Sequence, residues 1–456
     1  MASRSTRNGG GARRRSSALR SPSPLQGSMA GTRGRRSAVA DEDSDDSGAS
    51  SDEVMVLFRT SLHNTVCDVF SSQEGWQETR SDTDWDINWA DVGWIRDFYD
   101  HIRFEEHQRV NHFRNHYELT RKDLMAKNLK RMRKHLAKHE SIAESEKYNF
   151  FPTTYVLPQE YGLFLESFKK NAGSTWIMKP IGKAQGKGIF LFNKLSQISD
   201  WRKDHNWKKD APQAETYVVQ KYVERPYLIG GKKFDLRLYA LVTSFSPLVV
   251  WVHKTGFARF SNTRYSDAKG DISNSFMHLT NVAIQKTAKD YNKEQGCKLS
   301  VHALRVFLMS RHGRAATEKC FLEMQKLIVR SLLSVQKVMI NDRHSFELYG
   351  FDILFDQDLK SWLIEVNASP ALSASNADDY ELKYGLVQDL VDVVDLEGNL
   401  TGEERQIGGF DLVYHGGSVA HNRYNIGSVY RSEPAIAARR KKYINGSKRR
   451  SPKKSK

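Results

Sequence analysis

Tyr349-Gly350-Phe351-Asp352-Ile353-Leu354-Phe355, the break Asp356-Gln357-Asp358-Leu359, and Lys360-Ser361-Trp362-Leu363-Ile364-Glu365-Val366-Asn367-Ala368-Ser369-Pro370 carry the main architectural signal of this chain. Two runs rich in β-branched and aromatic residues, parted by a short polar break, predict an antiparallel hairpin. With a four-residue loop from Gln357 to Lys360, Asp356 faces Ser361 and Asp352 falls opposite Glu365. Alternation along the strand puts Glu365 and Asn367 on one face, and their cross-strand neighbour Asp352 joins them there. Three oxygen donors then converge among Ile, Leu, Val and Trp side chains, where two carboxylates repel unless a cation lies between them. The matching ion is Mg²⁺, which takes carboxylate and amide oxygens and leaves positions open for phosphate. A hairpin with one solvated polar face and no metal fits the same pattern.

Upstream, the strand Trp176-Ile177-Met178-Lys179-Pro180 runs into a glycine-rich loop, Gly182-Lys183-Ala184-Gln185-Gly186-Lys187-Gly188, and a second strand from Ile189 to Phe192. Strand, loop, strand is not the order of a P-loop, and the Gly-Lys-Ser/Thr ending is absent. It suits a loop that folds over a nucleotide and offers backbone N–H groups to phosphates, although hairpin turns also need glycine. A buried-looking strand follows at Tyr217 to Val223. The next strand begins Lys232-Lys233-Phe234-Asp235-Leu236-Arg237-Leu238-Tyr239, so Lys233, Asp235 and Arg237 share a face. Three charges on one face are costly to bury unless they meet ligands or each other.

The 456 residues suffice for two or three domains with an ample core, and 39% apolar with 27% charged residues is an ordinary soluble composition. No apolar run reaches the length of a membrane span. Cys67, Cys297 and Cys320 lack metal or disulfide spacing, which suggests a reducing compartment. The formal charge is +16, but from Arg431 to Lys456 eleven Lys and Arg stand against Glu433 alone. The excess is therefore concentrated at the terminus, where it suits a localisation signal, a tether to an acidic polymer or a solvated tail. Residues 1–53, Arg, Ser and Gly-rich and then abruptly acidic, read as a disordered arm. Residues 54–148, with Trp76, Trp85, Trp89 and Trp94 as core and a basic helix from Leu119 to His139, read as a small α+β domain. Residues 149–415 form the main body, and 416–456 read as a disordered basic tail.

Met178-Lys179-Pro180, Gln185-Gly186-Lys187-Gly188-Ile189, Lys233-Phe234-Asp235-Leu236-Arg237, His278-Leu279-Thr280-Asn281, Phe351-Asp352 and Trp362 to Pro370 occur in the order found in the tubulin tyrosine ligase-like family. The chain resembles that family from about Val54 to Val413, and Asn115 to Lys122 with Gly409 to Leu412 look most like its polyglutamylase branch. The resemblance implies an α/β (α+β) chain with an ATP-grasp fold, a smaller N-terminal domain, and ATP and Mg²⁺ as cofactors. It implies that Lys179 contacts phosphate, that Gln185 and Gly186 lie over the nucleotide, and that Gln220, Lys221, Tyr222 and Val223 hold adenine. Lys233, Phe234, Asp235, Thr280 and Asn281 fall where the family contacts ATP, and Asp352, Glu365 and Asn367 match its Mg²⁺ ligands. Arg259, Lys298 and Lys383, with Gln185, match positions that hold L-glutamate and the acceptor. The implied reaction ligates glutamate to acidic tubulin tails through an acyl phosphate, in the cytoplasm on the cytoskeleton and at the basal body and axoneme of a cilium or flagellum. A glycine ligase, or a catalytically silent microtubule-binding scaffold, keeps the same motifs; Arg259 and Lys298 argue against glycine, which has no second carboxylate. A nucleic-acid binder lacks a reading module in the folded part, and no membrane partner is implied.

Overall fold

In the computed structural model the residues described are 56–183, 185–198, 216–291, 297–419 and 426–429. The basic arm of residues 1–53 and most of the basic tail lie outside them.

The largest sheet is organised by β10 (Lys232–Phe245) and β11 (Leu248–Phe260), a long hairpin flanked by β13 (Glu347–Phe355) and β14 (Ser361–Asn367) on one side. On the other side stand β16 (Phe410–His415) and β15 (Gln406–Ile407), while β12 (Lys298–Ser300) pairs with β11 and β9 (Leu228–Ile229) with β10. Alternation gives β10 two different faces. Phe234, Leu236, Leu238 and Ala240 pack with Tyr349, Phe351 and Ile353 of β13 under two helical pieces joined at Gly313 (Val301–Gln336) and the helix Lys122–His139. Tyr239 and Leu241 pack on the opposite face with the helix Ala377–Val394.

A second antiparallel sheet has the order β5 (Thr154–Leu157), β8 (Tyr217–Lys221), β6 (Trp176–Pro180), β7 (Phe190–Phe192). Its outer face rests on the helix Tyr161–Lys170 through Phe164, Phe168 and Trp176. The third sheet is parallel, ordered β2 (Trp76–Glu78), β1 (Val56–Thr60), β3 (Ile87–Trp89), β4 (Arg109–Val110).

Three expectations need correction. The division at residue 148 is no break in packing: Val56, Phe58, Phe70, Trp76 and Trp89 share a core with Tyr239, Tyr384 and Leu386, and Leu129 and Leu136 share the other core with β10 and β13. The basic helix starts as two pieces, Tyr117–Thr120 and Lys122–His139, because Arg121 is extended between them (ψ 129°). The ordered chain also runs past residue 415: Ile426 is buried, and its carbonyl accepts from Arg305 Nη1 at 2.7 Å. Among the described residues no helix is long and apolar enough to cross a membrane.

The hairpin of β13 and β14 pairs Asp352 with Glu365, as the sequence implies, but by a different route. Phe355 pairs with Ser361, so the loop is the five residues from Asp356 to Lys360, with Leu359 in the left-handed region (φ 61°). A bulge between the Ile353–Leu363 and Asp352–Glu365 pairs then restores the register.

Candidate active site

A cavity of about 390 Å³ lies between the inner faces of the second sheet and the largest sheet. Its walls include Ile177, Lys179 and Gln220 from the former, and Lys233, Asp235, Asp352, Leu354, Glu365 and Asn367 from the latter. The glycine loop contributes Gly182, Lys183, Gln185 and Gly186, and Thr280 and Asn281 line the same space, Asn281 close against Gly186. Gly186 needs to be glycine twice over. Its φ is +80°, and a Cβ would lie 2.5 Å from Ile284 Cδ1.

Lys179 stands on a wholly buried strand and donates from Nζ to Gln220 Oε1 at 2.8 Å; Gln220 Nε2 in turn donates to Thr154 Oγ1 at 2.9 Å. This line of bonds crosses β6, β8 and β5 and fixes the ammonium. Burial pushes Lys179 down to about 8, with Glu365 and Asp352 opposing the fall. Lys233 is pushed down to about 7, again mainly by burial. Its Nζ donates to Tyr222 Oη at 2.9 Å and to the His278 carbonyl at 2.8 Å. Two desolvated ammonium groups without a full counter-charge suit a polyanion, whose charge would favour their protonated forms.

Below them runs a row of buried ions. Arg259 donates from Nε to Asp235 Oδ1 at 2.8 Å and from Nη2 to Asp235 Oδ2, and Nη2 also lies 2.7 Å from Asp352 Oδ2. Arg237 clasps Asp352 from the other side, Nε to Oδ1 at 2.6 Å and Nη2 to Oδ2 at 3.1 Å. Gly350 makes room for this clasp, since a Cβ there would lie 3.1 Å from Arg237 Cδ. Burial alone would raise the Asp352 carboxyl, but the two guanidiniums outweigh it and hold it well below the usual carboxylate range. Lys233, Asp235 and Arg237 thus share a buried face, as alternation predicts, and the two with direct charge partners find them on β11 and β13.

Asp352, Glu365 and Asn367 bring two carboxylates and a carboxamide to one stretch of the cavity wall. Glu365 Oε2 lies 3.4 Å from Lys122 Nζ, and Asn367 Nδ2 donates to the Gly350 carbonyl at 3.3 Å, which leaves the amide oxygen to accept a cation. Two carboxylates and an amide oxygen suit Mg²⁺. Among the described residues no group of three or more His, Cys, Asp and Glu could hold a metal ion, so the fit depends on Asn367 as the third donor.

Gln185, Gly186, Gln220, Lys221, Tyr222, Val223, Thr280 and Asn281 all line the cavity. The side chain of Phe234 does not: it is buried in the core on the other face of β10. Trp362 also stays outside, donating to Asp356 Oδ2 at 2.9 Å. Arg259, Lys298 and Lys383 lie off the cavity wall, already paired. Lys298 and Lys383 share Asp379, at 2.7 and 3.0 Å, and Arg259 and Lys298 are cross-strand neighbours. The sequence reading missed His116, Thr120, Lys122, His278 and Ser369 as lining residues. His116, Thr120 and Lys122 stand in the quoted segment Asn115 to Lys122, but no spacing ties them to residues more than two hundred positions away.

Residues 101–401 match the family model described as the tubulin-tyrosine ligase family. The chain is 50% identical over 395 residues to the probable tubulin polyglutamylase TTLL9 of Mus musculus, covering 80% of this chain and 85% of that protein. It is 51% identical over 362 residues to the probable tubulin polyglutamylase ttll-9 of Caenorhabditis elegans (78% and 84%). With the probable alpha-tubulin polyglutamylase Ttll1 of Tetrahymena thermophila it shares 41% identity over 380 residues (78% and 92%).

Proposed function

The chain belongs to the tubulin-tyrosine ligase family, and on that premise we propose that it is an ATP-dependent tubulin polyglutamylase, joining L-glutamate through an isopeptide bond to glutamate side chains of tubulin tails. What supports this reading best is the cavity itself, which sets Lys179 and Lys233 beside Asp352, Glu365 and Asn367. Desolvated cations and hard oxygen donors around one space answer the needs of a nucleoside triphosphate with its metal. They are also the chemistry that phosphoryl transfer asks of a protein.

The acceptor γ-carboxylate takes the terminal phosphoryl group of ATP, and the amine of free glutamate then displaces phosphate from the acyl phosphate. Lys179, tied to Gln220, holds a fixed charge against the phosphates, and Lys233 adds a second. Ile177, Ile189 and Leu279 give the base apolar walls. Arg237 and Arg259 keep Asp352 ionised and oriented. Mg²⁺, held by Asp352, Glu365 and Asn367, would neutralise phosphate charge during transfer. Arg259, Lys298 and Lys383 form a cationic row beside the cavity that suits an amino acid with two carboxylates, exchanging Asp235 and Asp379 for the ligand. The helix Lys122–His139 exposes Lys127, Arg131, Lys134 and Lys138 to polyanionic tails on microtubules. We place the activity on the cytoplasmic cytoskeleton, including the basal body and axoneme of cilia or flagella.

Glu365→Gln tests the reading, because the side chain changes charge at nearly constant volume. Purified variant incubated with ATP, Mg²⁺, labelled glutamate and microtubules should lose on the order of 10²-fold or more in rate, with its unfolding transition unchanged within about 1 kcal/mol. Turnover like that of the wild type would overturn the metal assignment.

A further inference from the structure

We propose that a second cavity, lined by Arg109 and by the apolar side chains of Trp251, Phe346, Val393, Ile407 and Leu412, binds a small carboxylate with an apolar body. The proposal does not rest on the ligase reading. The cavity holds about 190 Å³, and Thr243 of β10 and Val249 of β11 also line it. Thr243 is ten residues along β10 from Lys233, about 30 Å at the rise of a strand. This space is therefore separate from the one that Lys179 and Lys233 line.

The apolar walls are built in. Trp251 and Leu412 pair across β11 and β16, Ile407 comes from β15, Phe346 from the residue before β13, and Val393 from the last turn of the helix Ala377–Val394. All five belong to one core and are at most 8% exposed, so their positions are set by packing rather than by an occupant. A dry cavity of about 150 Å³ accepts a benzene ring. This one is larger and takes a phenyl group with a short arm.

Arg109 supplies the charge at the end of that arm. It stands on β4, half-buried, and its Nη1 donates to the Glu106 and Gln108 carbonyls at 2.7 and 3.0 Å. Among the described residues its Nε and Nη2 have no acceptor and no carboxylate pairs with it. The acids around it are engaged elsewhere. Glu106 Oε1 lies 3.0 Å from Arg343 Nη1, and Asp342 Oδ1 accepts from the His344 N–H and ring at 2.8 and 2.7 Å. Glu404, which also lines the cavity, accepts from the Thr401 N–H and hydroxyl and from the Gly402 N–H. Burial lowers the Arg109 guanidinium below its ordinary value, with Arg343 adding to the fall and Glu106 and Asp342 opposing it. A desolvated fork with free donors beside an apolar space is the receptor for a carboxylate, which it meets through two parallel bonds. A ligand without the carboxylate leaves that fork unpaired, so the acid is selected over its neutral analogue.

The probes are 3-phenylpropanoate and 3-phenylpropanamide, of one shape and differing in charge. Each is titrated against the full-length chain by ligand-observed NMR, with and without ADP and Mg²⁺. The acid is expected to bind with Kd below about 1 mM, and the amide about tenfold more weakly or worse. Arg109→Met, which keeps length and removes the fork, should bring the acid down to the level of the amide. Leu400→Trp, at a partly buried loop residue that lines the same cavity, should weaken both probes. The comparison of acid with amide on the wild type carries the test if either variant fails to fold. Equal affinity for the two probes, absence of binding, or an acid affinity that Arg109→Met leaves unchanged would overturn the proposal. Loss of acid binding when ADP is present would place the ligand in the first cavity and overturn it as well.

Discussion

Arg259→Ala removes the one guanidinium that lies between two buried carboxylates. Asp352 keeps its paired bonds from Arg237, at 2.6 and 3.1 Å. Asp235, 6% exposed, keeps the field of Lys233 but, among the described residues, no other side chain that donates to it. Breaking a buried pair by deleting one partner costs about 3–5 kcal/mol, most of it the stranded charge. Asp235→Asn in the same chain removes that stranded charge. The double variant should therefore be more stable than the sum of the two single losses by about 1–3 kcal/mol. Urea titration of the full-length chain, followed by tryptophan fluorescence, measures all four corners of the cycle; the nine tryptophans give ample signal. A loss below about 1 kcal/mol for Arg259→Ala, or strictly additive losses, would show that the pair is solvated in solution and that the buried row does not hold Asp352.

Gly186→Ala should raise KM for ATP at least tenfold while moving the unfolding midpoint little, because the loop must shift away from Ile284 rather than the core; calorimetric titration with ATP would show an unchanged affinity if the loop does not cover the nucleotide. Lys233 and Lys179 have folded values near 7 and 8, below the ordinary lysine value, so both are largely neutral at about pH 8.5 in the free protein and regain charge against phosphates. ATP binding at that pH should take up on the order of one to two protons, measured from the dependence of binding heat on buffer ionisation. No uptake, or the same uptake in Lys233→Met, would refute the assignment. Affinity for microtubules should fall steeply with salt, and replacing Lys127, Arg131 and Lys134 by Glu should flatten that dependence; a salt-insensitive affinity would remove the helix from recognition. Deleting residues 436–456, which lie outside the described chain, should weaken microtubule binding yet leave ligation onto a short peptide unchanged if the terminus is a tether.

Much of the site is legible in the sequence because backbone periodicity is local. Alternation alone puts Lys233, Asp235 and Arg237 on one face of β10 and Phe234, Leu236 and Leu238 on the other. It also exposes the limit of a motif, since Phe234 belongs to a conspicuous run yet turns its ring into the core. The pairing of Asp352 with Glu365 is right in the sequence reading only because two one-residue displacements cancel, a longer loop and a bulge. What selects that register is the burial of Phe351, Ile353, Leu363 and Val366 on one face, which loop length cannot reveal.

Ion partners belong to the tertiary structure. Nothing near Arg259 in the chain shows that its fork closes on Asp235 and Asp352, or that Lys298 and Lys383 meet at Asp379. Nor does any spacing bring His112 to Glu347, 235 residues away, and to Ser369, 257 residues away. The sequence by itself determined which side chains share a strand face and which chemistry they carry. Only the packing of distant strands decided which charges are buried together, because desolvation and pairing depend on distances that close when the chain folds, not on separations along it.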